Sequence, residues 1–392
     1  MKHLLAFPLF LFLVAAIAQA SPILIDLGPN RVMTSVSRNA DGAVYLVGHE
    51  VNPETLVQTG LLVSIATDQT VSVQNLRAPP GPNSLYITHI RGDYIVGHSL
   101  QGLTLQGLAW TVDDPGTPIP IEPIFVNGAG DTYVEGVNSH GQYSGTTASA
   151  RVPMTGQVGG ETIALNTPNE LGVGWAVSEN GTVVGERTSD EANGILAIVW
   201  GTDESVQVLQ NPFVYSGDLS QIAFAKSIAP NDSLLGGFVG IFDEITERIR
   251  EAAVIWSGEG WSELTVLTDQ DGNTLWGEVL GVTDNGYAVG QSSIGGFIWH
   301  TSWSYAQLFN SWALGEFGIS IPTWVTSVND VFWDGVNLNF ALEGSAYFLS
   351  APVGESPVPE PAGLLLLAIG TLSYFRARLR SRNVGADGTP SC

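Results

Sequence analysis

Val177-Ser178-Glu179-Asn180-Gly181-Thr182-Val183-Val184-Gly185 is the stretch on which the reading of this 392-residue chain turns. Asn180-Gly181 supplies the positive φ angles of a tight hairpin turn, and the β-branched residues behind it suit a strand that ends at a glycine. The pattern recurs along the body. Earlier copies run from Val36 to Gly48, from Ile90 to Gly97 and from Val137 to Gly145. Later ones run from Ile228 to Gly236, from Val282 to Gly290 and, in degraded form, from Val328 to Gly335. The terminal glycines are therefore spaced by 49, 48, 40, 51, 54 and 45 residues. Such spacings match propeller blades, in which four strands take about 40 to 50 residues.

Behind each copy comes a second apolar strand, often closed by an aromatic: Leu108-Ala109-Trp110, Ala197-Ile198-Val199-Trp200, Val254-Ile255-Trp256, Phe297-Ile298-Trp299 and Tyr347-Phe348-Leu349. A shorter strand then follows, as in Val206-Gln207-Val208-Leu209. This residue set resembles the extracellular repeat family known for its His-Ala-Phe strand, over about residues 22–350. The expectation is an all-β fold: a β-propeller-like repeat domain of seven four-stranded blades, with helix confined to the two ends of the chain. Pro22-Ile23-Leu24-Ile25-Asp26-Leu27 forms a lone strand, and the seventh repeat lacks its fourth. Pairing the two closes the ring and leaves no sheet edge there.

Met1-Lys2-His3, the apolar run from Leu4 to Ala18 and the Ala18-Gln19-Ala20 end before Ser21 have the marks of a cleaved secretory signal. At the other end, Val358-Pro359-Glu360-Pro361 precedes the uncharged run from Ala362 to Phe375 and then Arg376, Arg378, Arg380 and Arg382. This order resembles the PEP-CTERM sorting signal of Gram-negative bacteria. The resemblance implies a precursor held transiently in the inner membrane by a C-terminal transmembrane helix. It also implies exosortase, a membrane-embedded cysteine protease, as partner, with the body passed on to the cell surface or extracellular matrix. Fourteen helical residues rise about 21 Å, short of the ~30 Å hydrocarbon core, so the anchor alone is weak. The expected divisions are a signal peptide over 1–20, the repeat domain over 21–350, a proline-bearing linker over 351–357, the sorting signal over 358–382 and a tail over 383–392.

The chain carries 38 acidic against 14 basic residues. Without Lys2, the four tail arginines and Asp387, the balance is 37 to 9. Such a surface repels nucleic acid and attracts cations diffusely. Cys392 is the sole cysteine, which excludes an internal disulfide and a thiolate metal cluster.

Catalytic candidates are few. His49 and His98 each follow the terminal glycine of a repeat, where other copies carry Thr146, Glu186, Gly237 and Gln291. That variability reads as a changeable repeat position rather than a metal site. Asp269-Gln270-Asp271-Gly272-Asn273 begins like a calcium loop, yet Val279 stands where the bidentate glutamate belongs, so a solvated turn with at most weakly held calcium is expected. Trp110, Trp200, Trp256 and Trp299 share one strand position and read as core wedges. Trp261, Trp303, Trp312 and Trp333 fall off that register and are the candidates for a ligand surface. The expectation is a non-enzymatic, cofactor-free interaction scaffold. The alternatives are a polysaccharide-binding module, with exopolysaccharide as partner, and a polysaccharide-active propeller enzyme. Facing carboxylates in the axial funnel, as against aromatics alone, would separate the enzyme from the binder.

Overall fold

A computed structural model describes residues 21–39, 41–80, 84–102, 104–124, 130–147, 151–165, 171–189, 194–213, 221–243, 248–343 and 347–353. The chain divides after Pro352 into two compact units. Of the second, only Val353 is described. The signal residues Ala18 and Ala20 and every residue of the sorting motif lie outside the described residues. Ser21 is an exposed coil residue. No helix among the described residues is long and apolar enough to cross a membrane.

Strand β1 (Ile23–Asp26) is followed by five four-stranded antiparallel meanders. They are β2 (Arg31–Arg38), β3 (Val44–Val51), β4 (Gln58–Ile65) and β5 (Val71–Asn75); then β6 (Ser84–Arg91), β7 (Tyr94–Gln101), β8 (Thr104–Thr111) and β9 (Asp114–Pro120). Next come β10 (Thr132–Val137), β11 (Gln142–Thr147), β12 (Pro153–Gln157) and β13 (Thr162–Ala164), and β14 (Gly172–Val177), β15 (Val183–Ser189), β16 (Gly194–Trp200) and β17 (Val206–Val208). The fifth is β18 (Ala223–Ile228), β19 (Leu235–Asp243), β20 (Arg248–Ser257) and β21 (Glu263–Val266). The remaining strands are β22 (Gly277–Val282), β23 (Tyr287–Ser292), β24 (Gly295–His300) and β25 (Gln307–Leu308), then β26 (Ser327–Trp333), β27 (Asn337–Glu343) and β28 (Tyr347–Pro352). These last seven form one eight-stranded sheet with β1, whose two halves are joined, among the described residues, by the single ladder pair Gln291–Ser327.

The clasp expected from the N-terminal strand is present: β1 runs antiparallel to β28, with Ile23 opposite Ser350 and Asp26 opposite Tyr347. The first and last groups of strands also touch at their inner edges. Asn329 Nδ2 donates to Met33 O at 2.8 Å, Asp330 accepts from Ser35 Oγ at 2.6 Å and from the Val36 N–H at 3.0 Å, and Arg38 pairs with Asp334 at 2.6 Å.

Between neighbouring sheets lie apolar layers. Leu27, Met33, Leu46, Leu61, Val63 and Phe348 pack as one. Another holds Val184, Val199, Leu235, Val254 and Trp256. Trp110, Trp200, Trp256 and Trp299 are all buried, as wedge residues should be. Their indole N–H groups can still be satisfied: Trp110 Nε1 donates to Arg77 O and Trp256 Nε1 to Gln210 O.

Three expectations are corrected here. Helix is not confined to the ends: α1 (Phe309–Phe317) sits within the body, between β25 and β26. Its buried Phe309 and Trp312 pack edge-on against Phe340, and Gly318 closes it in the left-handed conformation (φ 70°), with the Gly318 N–H on the Leu314 carbonyl and the Ile319 N–H on the Ala313 carbonyl. That packing explains Trp312, which is core and not ligand surface. Second, the glycine at the repeat position of β19 is Gly237, opposite Ala225, and not Gly236. Third, Gly335 is a turn glycine (φ 94°), and Leu342 occupies the repeat position, opposite Val328. The last three intervals thereby become 52, 53 and 52 residues.

Candidate functional site

The repeat glycine has a specific cause. In β2, β6, β10, β14, β18, β22 and β26 the register shifts at the same place, leaving one bulged residue that faces no partner. The bulged residues are Thr34, Thr88, Glu135, Trp175, Lys226, Leu280 and Asn329. A bulge bends its strand and redirects a side chain. Opposite it stands the glycine of the second strand. At Gly48, Gly97, Gly145, Gly185, Gly237 and Gly290 a Cβ would run into the carbonyl oxygen two residues ahead of the bulge, such as Val32 O or Glu278 O. The glycine is needed because the facing strand comes too close for a side chain.

All seven bulged side chains line one cavity of about 400 Å³, where the inner strands converge. His49, Tyr86, His98, His89 and Asp330 share its wall. A larger recess of about 730 Å³ lies between the third and fourth meanders, but its only acidic or basic lining residue is Glu204. Beyond the axial cavity, sharing Arg91 and Val282 with it, is a second hollow of about 320 Å³ that holds Arg38, Glu179, Asp284 and Trp333.

The ring of bulged residues is chemically divided. Thr34 Oγ1 donates to Ile87 O at 2.9 Å, Thr88 Oγ1 to Val134 O at 2.8 Å, and Asn329 Nδ2 to Met33 O. These three pin one inner strand to the next. Glu135, Trp175, Lys226 and Leu280, from four consecutive strand groups, make no such bond among the described residues. Lys226 Nζ rests 3.4 Å from the centre of the Trp175 ring and forms no ion pair among the described residues. Trp175 Nε1 donates to Glu186 at 3.3 Å, and Glu186 pairs with Arg151 at 2.6 Å.

Burial sets the protonation states. Glu135 keeps some surface on the cavity, yet protein encloses it, and desolvation pushes its carboxyl up to about 7 against the pull of Lys226. Desolvation lowers His98 to about 4. It lowers His89 likewise to about 4, with Asp330 opposing and Arg91 assisting. His49 is lowered by the same cause. The three imidazoles are therefore neutral at pH 7. Tyr86 stacks on His98 at 5.3 Å, and His98 meets Tyr133 edge-on at 4.7 Å. The Nδ1 atoms of His49 and His98 are buried without a hydrogen-bond partner among the described residues.

The structure thus brings His49 and His98 together in the axial cavity, and among the described residues no group of three or more His, Cys, Asp or Glu could hold a metal ion. Asp269 accepts from the Asp271 and Asn273 backbone N–H groups, both at 2.9 Å, in a turn closed on itself. Trp261 donates to Asp232 O, and Trp303 packs on Tyr287 and His300. Of the four off-register tryptophans, Trp333 lines the second hollow. Trp175, Glu135 and Lys226 escaped the sequence reading. Their signal is positional: each lies two residues before the Val or Ile that opens its repeat.

No family model and no curated protein sequence matches the chain. Among solved structures it is similar to virginiamycin B lyase from Staphylococcus aureus at 11% identity, over 85% of this chain and 100% of that one, with a TM-score of 0.50. It is similar also to YCF48 bound to D1 peptide, at 13% identity over 86% and 97%, with a TM-score of 0.51. The fold is that of a β-propeller. At such identities the likeness shows the fold alone. It nevertheless overturns the expectation of a non-enzymatic chain, because a lyase stands among the propellers this chain matches. The axial cavity itself holds two carboxylates, Glu135 and Asp330, beside its aromatics.

Proposed function

We propose that this chain is an exported β-propeller of seven four-stranded blades, closed by β1, whose axial cavity is the ligand-binding site of a surface interaction scaffold. The observation that carries the reading is the convergence of the bulged residues: four of them are left over from the work of joining blades, and three of those four bear a charge or an indole. Cavities of this size, with an aromatic wall and a few convergent polar groups, are typical small-molecule sites. The test is a plug. Leu280→Trp fills the cavity from a position that makes no bond between blades. Melting temperatures of wild type and variant are compared against millimolar amino acids, monosaccharides and short carboxylic acids. The expected result is a compound that raises the wild-type Tm by mass action and leaves the plugged form unmoved. If no compound distinguishes the two, the cavity is not the site.

We also propose that the precursor leaves the cell behind the signal ending at Ala20 and is sorted through Val358-Pro359-Glu360-Pro361. The support is the order of motif, apolar run and arginines. In a host carrying the matching protease, the surface form should lack the mass beyond Pro361, and Glu360→Ala should stay in the inner membrane at full mass. Surface protein that retains Cys392 would refute the sorting.

A further inference from the structure

Two opposite charges in the axial cavity have no partner of their own. Glu135 receives no hydrogen bond among the described residues, and its carboxyl responds to Lys226 only at a distance. The Lys226 ammonium has the face of Trp175 beneath it and no carboxylate within ion-pair reach among the described residues. They stand on β10 and β18, with Trp175 of β14 between them. Leaving both charges unmatched in an enclosed place costs free energy unless something else completes them. Of the other charges nearby, Asp330 is engaged by Ser35 and the Val36 N–H, Glu186 by Arg151 and Trp175, and Arg91, on the border with the second hollow, lies over the Phe332 ring.

We infer that the axial cavity takes a zwitterionic small molecule of the α-amino-acid class, its carboxylate received by Lys226 and its ammonium by Glu135. This rests on the axial cavity being the binding site. A ligand with both charges on one carbon satisfies the two groups at once and adds no net charge to the cavity. An anion alone would leave Glu135 unmatched, and a cation alone would leave Lys226 so. Trp175 forms the floor between the charges. Tyr86, stacked on His98, gives the ligand side chain an aromatic wall, and the neutral imidazoles of His49 and His98 add no competing charge. About 400 Å³ accommodates an amino acid with a large side chain.

The test uses the full chain and three probes of one skeleton: L-phenylalanine, phenethylamine, which lacks the carboxylate, and 3-phenylpropionate, which lacks the ammonium. Calorimetric titration should show phenylalanine binding at one site per chain, with each analogue weaker by about tenfold or more, the measure of one lost charge-assisted bond. Lys226→Met should abolish the advantage of phenylalanine over phenethylamine, and Glu135→Gln its advantage over 3-phenylpropionate. Lys226→Arg, which keeps the charge, should retain binding and guards against a folding defect. Equal affinity for the three probes, or variants that leave the preferences untouched, would overturn the assignment. If none of the probes binds while another compound stabilises wild type but not Leu280→Trp, the zwitterion is wrong and the cavity reading stands. If no compound distinguishes the plugged form, both fall.

Discussion

Glu135 and the axial histidines impose opposite pH dependences on the same cavity. Burial raises the Glu135 carboxyl from 4.5 to about 7. A group whose folded pKa lies above its unfolded value lends stability that is full below the unfolded pKa and is lost as pH climbs through the folded one. The Glu135 contribution therefore fades between about 4.5 and 7. His89 and His98, lowered from 6.5 to about 4, behave the other way: their contribution is full above 6.5 and is lost as pH falls through about 4. Between about 4.5 and 6.5 the glutamate offsets about one of these two histidines, and His49, lowered by the same burial, adds in the histidines' direction. Glu135→Gln stays neutral throughout. Its stability relative to wild type should be unchanged near pH 4.5 and should rise up to pH 7, to at most ~3 kcal/mol, levelling off above. Urea melts at four pH values between 4.5 and 8 measure this directly. A gain of the same size at every pH would mean that the substitution acts through packing and not through titration.

The repeating strand group explains what could be read in advance and what could not. Turns such as Asn180-Gly181 and Asn285-Gly286 carry their own chemistry, with Gly181 at φ 89° and Gly286 at φ 91°, so the hairpins announced themselves in the residues. The wedge tryptophans did so too, since one aromatic at one strand position in several copies has few meanings other than packing. A bulge adds one residue to one strand and alters neither composition nor hydrophobic alternation enough to be noticed. It left only an indirect trace, the glycine it forces on the facing strand. Where that trace doubled, at Gly236-Gly237, or vanished, at Leu342, the reading slipped by one residue or by a whole strand. His49 and His98 were noticed because they follow that glycine directly. Glu135, Trp175 and Lys226 sit on the other strand, at a position filled elsewhere by Thr34, Thr88, Leu280 and Asn329, and a site made of unlike residues offers no pattern to search for. The helix Phe309–Phe317 was missed for a different reason. Its amphipathic signal is faint, and it is held by Phe340, a contact that only the tertiary fold supplies.

Across the whole molecule, closure depends on residues from opposite ends of the chain: β1 against β28, Asn329 and Asp330 against β2, and Arg38 against Asp334. The strand contributes in two separable ways. Leu27, just beyond β1, is buried in the layer with Met33, Leu61 and Phe348, while the backbone of β1 covers the outer edge of β28. Removing residues 22–27 takes away both. Leu27→Ala takes away only the packing, at about 2–4 kcal/mol if the gap does not collapse. Both forms should therefore melt below wild type, but they should differ in solution. The deletion leaves Tyr347–Pro352 with unpaired N–H and C=O groups, a template on which a second chain can add a strand. Light scattering should find it forming dimers and larger species as concentration rises, with Leu27→Ala remaining monodisperse at the same loss of Tm. A deletion that melts like wild type would show that β1 contributes nothing to closure. One that melts low but stays monodisperse would assign its whole effect to packing, with the seam at Asn329 and Asp330 holding the ring by itself.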